Sequence, residues 1–271
     1  MRLEDVDLAD HDKFLDGETP WRMFDVLREQ DPVHWQDEEH GSGFWAITRH
    51  ADIVAVDRDP QTFTSMKFVN LEEVDDRQAE IRRSLLETDG PRHTALRRLL
   101  QHRFTARALA GYETFLRGLT AKTLDAALPK GTFDFVKEVS ADFPINVLAR
   151  MLDVPEEHTQ RLIEWGNRMV GNTDPDYGDV MLHSPESEQY KDLPFRSPAA
   201  LEVFEYGREL ARQRRCGDGT DLVSLLVNQT PCDGVPLSDR DFDNYYLLLM
   251  VAGNETTRQA ISHTMLALIN H

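Results

Sequence analysis

The stretch LLLMVAGNETT, residues 247–257, decides which fold this sequence encodes. It joins the most apolar run of the chain to a cluster of poor helix formers around Gly253. A glycine inside a helix costs about 1 kcal/mol relative to alanine, and paired threonines add a few tenths more. Since the helical pattern continues on both sides, the cluster is the kind of local conflict expected where function overrides propensity.

Composition alone leaves two interpretations of residues 252–257 open. In the functional one, Gly253 lets a flat ligand or a small gas molecule approach the backbone, because glycine has no side chain. Thr256 then supplies a hydroxyl, and Glu255 a carboxylate, for proton delivery. In the structural one, the small residues only mark a place where two helices cross, and Glu255 faces solvent.

The helix that carries this stretch begins at Ser238, and Asp241 three residues later completes a capping-box arrangement. Its pattern continues to His271 and predicts one helix of about 33 residues, or roughly 50 Å at 1.5 Å per residue. Residues 266–271 are still mostly apolar and contain no Gly or Pro to stop the helix. We therefore expect an incomplete record of a longer gene product; the alternative is a product that is itself truncated.

A second candidate site lies in RHTALRRLL, residues 92–100. His93 and Arg97 are four residues apart, so on a helix they share one face. Two such donors can hold a carboxylate or a phosphate, the arginine in bidentate fashion. The alternative is an ordinary basic face exposed to solvent.

The rest of the pattern predicts a mainly α protein with a small β-sheet. Thr19 caps a first helix with Pro20 at its first position. Residues 33–35 and 44–48 are β-prone runs that form a hairpin. Residues 63–88 contain a long mobile loop, and residues 171–197 are the least regular part. Further helices are expected at 51–57, 91–103, from Thr105 to about 128 (with a stripe of Leu109, Tyr112, Leu116 and Leu119), from about 143 to 152, at 199–215 and at 221–227.

Composition excludes several classes of protein. Asp plus Glu number 48 and Lys plus Arg 30, and the formal charge of -18 argues against a nucleic-acid-binding protein. The N-terminus has no apolar signal-peptide region, and the apolar run at 247–253 falls far short of the roughly 20 residues of a membrane span. The two cysteines form no disulfide pattern. We expect a cytoplasmic protein without membrane or nucleic-acid partners.

Taken together, the two candidate sites resemble motifs of the cytochrome P-450 superfamily, in its soluble bacterial branch. Residues 93–100, followed by Phe104 and Thr105, are similar to the family's C-helix motif. Residues 252–257 are similar to its I-helix oxygen-activation motif. Residues 44–53, 57–65, 143–155 and 221–226 also resemble family segments, and the likeness runs in family order from about Trp21 to His271.

The resemblance assigns roles to particular residues. His93 and Arg97 would bind haem propionates, and Ala252 and Gly253 would leave room beside the haem. Thr256 would contact the haem-bound oxygen as well as serve in catalysis, and Glu255 would help to relay protons toward it.

The resemblance also implies an activity. Residues 1–271 would form a single P-450 domain that is incomplete after the family's I helix. The enzyme would bind heme b, take two electrons from a ferredoxin and its ferredoxin reductase, and use O2 to hydroxylate a hydrophobic small molecule. The sequence NETTR at 254–258 is similar to that of enzymes acting on sterols, terpenes or methyl-branched lipids. Residues 67–86, 170–187 and 245–249 would line the substrate pocket.

The sequence departs from the family pattern in one large respect. The family's Glu-x-x-Arg pair and its cysteine-containing haem loop lie after the I helix, and neither has a counterpart here. Cys216 and Cys232 lack the aromatic, glycine and basic neighbours of that loop, so we assign no metal ligand to this chain and expect the axial cysteine to be absent. A chain ending at His271 is then expected to be inactive. The alternative function is a non-catalytic helical protein that keeps the scaffold or a ligand pocket.

Overall fold

The computed structural model describes residues 1–39, 41–67, 69–71, 73–182 and 184–271. His40, in the predicted hairpin link, and Phe68, Glu72 and His183, in the predicted pocket segments, lie outside the described residues. The helices and strands are α1 (Thr19–Gln30), β1 (Val33–Gln36), β2 (Phe44–Ile47), α2 (His50–Asp57), α3 (Asp76–Arg82), α4 (Arg92–Gln101), α5 (Ala106–Ala110), α6 (Glu113–Ala127), α7 (Asp142–Leu152), α8 (Thr159–Val170), α9 (Ala199–Arg214), α10 (Leu222–Asn228), α11 (Asp239–Ala252) and α12 (Glu255–Asn270). The expectation of a mainly α protein with a small sheet is confirmed.

The chain divides into two compact units, residues 1–79 and 80–271. The first unit contains the hairpin, in which β1 and β2 pair antiparallel with Val33 opposite Ile47 and Trp35 opposite Trp45. The two tryptophan rings meet edge to face with centroids 5.1 Å apart, a favourable geometry for aromatic pairs. The predicted hairpin is therefore confirmed.

The second unit holds the main hydrophobic core, in which α9 packs against α8, α10 and α11. Its side chains come from helices that are far apart in sequence, so this core forms only when the helices assemble. The largest fully buried side chains of this unit are Trp165, Tyr246, Ile145, Leu152, Leu162, Met169, Leu222, Leu226, Met250 and Val203.

The start of α11 matches its sequence signal. The Ser238 hydroxyl accepts a hydrogen bond from the Asp241 backbone N–H (3.1 Å), and the Asp241 carboxylate accepts one from the Ser238 N–H (2.9 Å). These two bonds satisfy backbone donors that have no partner within the helix. The capping box is confirmed.

The expectation of one uninterrupted helix to His271 is wrong. The helix ends at Ala252, and a second one begins at Glu255 after a turn at Gly253 and Asn254. Asn254 has φ −104° and ψ −67° and is buried. The physical reason is the low helix propensity of Gly and Asn, which lets tertiary packing reshape the backbone there.

Two other boundaries differ from expectation. The Thr105 hydroxyl caps α5 as predicted (Ala108 N–H to Oγ1, 3.3 Å), but the helix stops after Ala110, and Gly111 and Tyr112 separate it from α6. Residue 18, not Thr19, is the N-cap of α1, and the Asp16 carboxylate accepts from the Thr19 N–H instead. The region 63–88 includes the helix α3, and the mobile loop expected elsewhere in it stays a prediction.

The segment between α8 and α9 is irregular, as expected. It contains two short 3-10 turns, Pro185–Tyr190 and Pro194–Arg196. Among the residues that the structure describes, no helix has the length and apolar character needed to cross a membrane.

The contact between α9 and α11 predicts the effect of a small substitution. A Cβ added at Gly207 would lie 2.6 Å from the ring of Tyr246, whereas a Cβ at Gly118 on α6 would meet nothing within 4 Å. Gly207→Ala should lower the free energy of unfolding by about 1–3 kcal/mol through overpacking. Gly118→Ala should raise it by up to about 1 kcal/mol, because alanine has the higher helix propensity. Urea unfolding followed by circular dichroism measures both, and equal effects would contradict this packing.

Candidate functional site

A cavity of about 690 Å³ opens in the second unit. Its volume lies within the 300–1,000 Å³ that is usual for small-molecule sites. Its walls come from the segment before α4, from α4 itself, from α7 and from the junction of α11 and α12. The lining residues are Leu85, Leu86, Arg97, Leu100, Gln101, Phe104, Leu116, Phe143, Pro144, Val147, Leu148, Met151, Tyr245, Leu248, Leu249, Ala252, Gly253 and Thr257. Nearly all of these side chains are apolar.

One face of α7 forms the largest single part of the wall. Its lining residues recur at spacings of one, three and four, which places them on one side of a helix. The opposite side carries Ile145 and Leu152, both fully buried in the core. Sequence periodicity predicted this helix but assigned it no role in the pocket, because both faces are apolar and the pattern does not say which one meets a cavity. The wall residues of α7 are Phe143, Pro144, Val147, Leu148 and Met151.

The turn between α11 and α12 lies at the cavity wall through Ala252 and Gly253. A Cβ added at Gly253 would come within 2.8 Å of the Leu249 carbonyl oxygen and 3.2 Å of both terminal methyl groups of Leu148. A glycine therefore allows this turn to approach α7. The structure brings both predicted residues to the cavity, as the hypothesis of a flat ligand requires.

The two predicted catalytic side chains are not among the described lining residues. The Thr256 hydroxyl donates to the Ala252 carbonyl (2.8 Å), one turn back on its own backbone. Glu255 forms an ion pair with Arg258 (2.5 Å) and accepts a hydrogen bond from the Gln259 amide (2.9 Å). Thr257, which the motif did not single out for a role, lines the cavity instead. The catalytic roles of Thr256 and Glu255 stay predictions.

The basic residues of α4 divide into two pairs. Arg92 donates to the Asp233 carboxylate (3.1 Å) and to the Val235 carbonyl (2.8 Å), and Arg98 contacts the sulfur of Cys232 (3.8 Å). These two arginines tie α4 to the loop that precedes α11. They account for half of the basic segment as ordinary structural contacts.

His93 and Arg97 form the second pair. Within the described part of the chain, no carboxylate pairs with either side chain. His93 is half-buried, and Arg97 lines the cavity. Because their spacing places them on one helix face, they are available to hold anionic groups of a ligand.

Tyr245 links α4 to α11 at the cavity. It is 4% exposed, and its hydroxyl donates to the carbonyl of Leu96, the residue before Arg97 (3.3 Å). Burial raises the pKa of Tyr245 to about 12, and the nearby charge of Arg97 offsets only part of that rise. The phenol is therefore neutral near pH 7 and remains a hydrogen-bond donor.

The predicted pocket segments contribute unequally. From 245–249, Tyr245, Leu248 and Leu249 line the cavity, and from 67–86, Leu85 and Leu86 do. No described residue of 170–187 does. Leu100 of α4 and Leu116 of α6 also line the cavity. Neither was assigned to the pocket from sequence, since each is one apolar residue in an amphipathic helix.

The donor set fits the porphyrin that the sequence motifs imply. The cavity offers apolar walls for a flat ring, a glycine where a side chain would intrude, and Arg97 for an acidic substituent. His93 is not among the described lining residues and shares only the helix face of Arg97. Cys216 and Cys232 are both exposed, and neither lines the cavity. The Cys216 backbone N–H donates to the Asn228 side chain (2.8 Å).

Comparison with known proteins identifies the family. No family model matches the chain. It is 33% identical over 258 residues to a steroid C26-monooxygenase of Mycolicibacterium smegmatis, covering 89% of this chain and 56% of that protein. It is 32% identical to a linalool 8-monooxygenase of Pseudomonas putida, covering 98% of this chain and 64% of that protein. A cytochrome P-450 of Mycobacterium marinum, solved in complex with pseudoionone, superposes with a TM-score of 0.80 at 32% identity, covering 95% of this chain and 62% of that one.

The chain has the fold of the cytochrome P-450s and is similar in sequence to bacterial members of that family. The motif-based recognition of a bacterial-type P-450 is confirmed. The chain spans 56% to 64% of the length of these relatives. The likeness covers the helices that form the cavity, so the P-450 fold accounts for their arrangement.

Filling the cavity should weaken binding of an apolar ligand. Ala252→Phe places an aromatic ring at the wall, whereas Ala260→Phe places the same ring at an exposed position on α12. We expect Ala252→Phe to weaken binding of the neutral fluorescent probe N-phenyl-1-naphthylamine about tenfold, since burying the new ring removes ligand volume. Ala260→Phe should leave the affinity unchanged. Equal affinities in the two variants would place the probe site elsewhere.

Proposed function

We propose that this chain supplies the substrate-side walls and the propionate-binding helix of a haem-thiolate monooxygenase that hydroxylates a hydrophobic small molecule. The observation that carries the proposal is one apolar cavity lined by both Arg97 of α4 and Gly253 of the α11–α12 turn. The two motifs are more than 150 residues apart in sequence, so their meeting at one cavity is not a local effect. Residues 1–271 would then form part of a single P-450 domain.

Haem b is the cofactor that this site would hold. His93 and Arg97 would bind its propionates, and Ala252 and Gly253 would lie against its ring. When bound, the haem supplies the two-electron activation of O2 that places one oxygen atom in a C–H bond. We assign its axial thiolate to neither Cys216 nor Cys232, because both lie outside the cavity.

The side chains around the cavity would orient the substrate and exclude water. Leu85, Leu86, Val147 and Leu248 offer no hydrogen-bond partners, so they select an apolar ligand by desolvation and shape. Arg97 is the one charged residue of the described wall. If Arg97 bound a haem propionate, no other charged side chain of the described wall would face the substrate.

The reaction also requires protons, because the second oxygen atom leaves as water. We assign their delivery to Thr256 and Glu255. The Thr256 hydroxyl donates its hydrogen to the Ala252 carbonyl. Its oxygen still has lone pairs that can accept a hydrogen bond from a proton donor. Glu255 would have to exchange its ion pair with Arg258 to pass a proton to Thr256 Oγ1.

The substrate class is inferred from the names of the relatives. Those relatives are named for steroid, methyl-branched lipid and linalool oxidation. All three are predominantly apolar molecules, in accord with the lining of this cavity. We therefore assign a sterol, terpene or branched lipid as the substrate. On the resemblance to bacterial P-450s alone, we assign a ferredoxin and its reductase as the electron donors.

A second candidate function is a non-catalytic ligand-binding scaffold. It is favoured by two observations: neither cysteine lines the cavity, and the described wall includes neither Thr256 nor Glu255. The two functions differ in whether the His93–Arg97 face binds the carboxylates of a porphyrin.

Iron-free protoporphyrin IX tests this face without requiring an axial ligand. The unsubstituted chain should bind the porphyrin, and the double variant His93→Ala with Arg97→Ala should bind it at least about tenfold more weakly, because charge-assisted hydrogen bonds are lost. Porphyrin fluorescence anisotropy measures the affinity. Arg98→Ala, one residue further along the same helix, is the matched control and should bind normally.

The dimethyl ester of the porphyrin lacks the two carboxylates and provides a second control. The double variant and the unsubstituted chain should bind the ester equally. A double variant that binds the diacid as tightly as the unsubstituted chain would rule out the propionate role and favour the scaffold function.

Proton delivery is tested in a chain of the relatives' full length that has bound haem. Thr256→Ala should retain haem but divert reducing equivalents from hydroxylated product to hydrogen peroxide, raising the peroxide fraction about tenfold, since a positioned proton donor contributes at least that factor. Thr257→Ala is the matched control. If Thr257→Ala uncouples the reaction and Thr256→Ala does not, the motif-based role belongs to the residue that the structure places on the wall.

A further inference from the structure

Asn244 is a buried amide on α11 that plays no part in the motifs. It is 3% exposed, and its Nδ2 donates to two backbone carbonyls, those of Ile81 and Arg83, each at 2.9 Å. An amide nitrogen carries two hydrogens, so both are used. These bonds join α11 to a segment 161 and 163 residues earlier in the chain.

The segment that follows Arg83 is a turn that forms part of the cavity wall. The Ser84 N–H donates to the Glu87 carboxylate (2.8 Å), and the Thr88 hydroxyl donates to the Ser84 carbonyl (2.6 Å). Glu87 is 5% exposed. Leu85 and Leu86 line the cavity from this turn. Because residues 84–88 are bonded mainly to one another, their position depends on how the turn is attached to the rest of the molecule.

Apolar burial provides only part of that attachment. Leu86 is 49% exposed, and Leu85 is a partly buried residue at the margin of the core. The hydrophobic free energy that holds the turn in place is therefore small compared with that of a fully buried leucine. The bonds from Asn244 to the Ile81 and Arg83 carbonyls add a specific attachment immediately before the turn.

The other end of the same segment is held by the next residue of α11. The Tyr245 hydroxyl donates to the Leu96 carbonyl on α4. Asn244 and Tyr245 are adjacent on a helix, so their side chains point about 100° apart. One therefore reaches residues 81–83 and the other reaches residue 96, on either side of the wall turn.

We propose that Asn244 is a positioning residue for substrate selection. Together with Tyr245 it forms a two-point clamp that sets the distance between the Leu85–Leu86 wall and the α11 wall at Leu248 and Leu249. The clamp thereby fixes which ligand sizes the cavity accepts. This inference rests on the proposed function only in that the cavity is taken to bind an apolar substrate.

Asn244→Asp tests the clamp because aspartate has the same shape but a carboxylate lacks both N–H donors. Losing two hydrogen bonds to buried carbonyls should raise local opening at least about tenfold. Hydrogen exchange of the Ser84 and Leu86 amides, both bonded within the turn, should accelerate by that factor. The chain-length preference for neutral linear alcohols of increasing length, measured by displacement of N-phenyl-1-naphthylamine, should broaden toward longer chains.

Asn228→Asp is the matched control. Asn228 also tethers a backbone carbonyl through its amide, that of Arg214 (2.9 Å), but lies outside the cavity. This variant should leave both exchange at residues 84–86 and the chain-length preference unchanged, even if its melting temperature falls. If Asn244→Asp behaves like Asn228→Asp in both measurements, the clamp is refuted.

Tyr245→Phe is a second variant, in case Asn244→Asp fails to fold. It keeps the ring in the wall and removes only the hydroxyl, so exchange should accelerate in α4 around Leu96 and the alcohol preference should again broaden. An unchanged preference would count against the clamp. If the unsubstituted chain binds no alcohol at all, the proposed function fails, while exchange at residues 84–86 still decides whether Asn244 holds the wall.

Discussion

The walls of the cavity are positioned by the hydrogen bonds that buried polar side chains of α11 make to neighbouring elements. This helix is enclosed on most sides, yet it carries Asp243, Asn244 and Tyr245 in consecutive buried positions. A buried polar group without a partner costs far more than a partnered one stabilises. Burial raises the pKa of Asp243, although the ion pair with Arg208 opposes the rise. The partner of each side chain lies on a different element: Arg208 on α9 for Asp243, the 81–83 segment for Asn244 and Leu96 on α4 for Tyr245. These contacts hold the three elements against α11.

That constraint explains how two distant motifs reach one cavity. Tyr245 fixes the backbone of α4 at Leu96, and the next residue, Arg97, then lies at the cavity. Two turns further along α11, the helix breaks at Gly253, against Leu148 of α7. The cationic wall and the glycine wall are therefore positioned by the same helix. A P-450 haem would need both, one for its acidic edge and one for its ring.

Much of this arrangement could be predicted from sequence, because its signals are local. The capping box at Ser238 and the shared face of His93 and Arg97 follow from spacing alone. The conflict of Gly253 with helix propensity left a ligand site and a helix crossing as alternatives, and the resemblance to the P-450 I-helix motif favoured the ligand site. The break at 253–254 was not predicted, since propensity gives the cost of a distortion but not whether packing imposes it. The tethers of Asn244 could not be predicted either, because their partners lie more than 160 residues away. The position of Thr257 on the wall depends on the geometry of that break.

The most direct measurement of the central claim is a crystal structure of the chain with iron-free protoporphyrin IX. The ring should lie in the cavity against Gly253, with its carboxylates within hydrogen-bond distance of His93 and Arg97. A porphyrin bound elsewhere, or one in the cavity with its carboxylates turned away from α4, would contradict it.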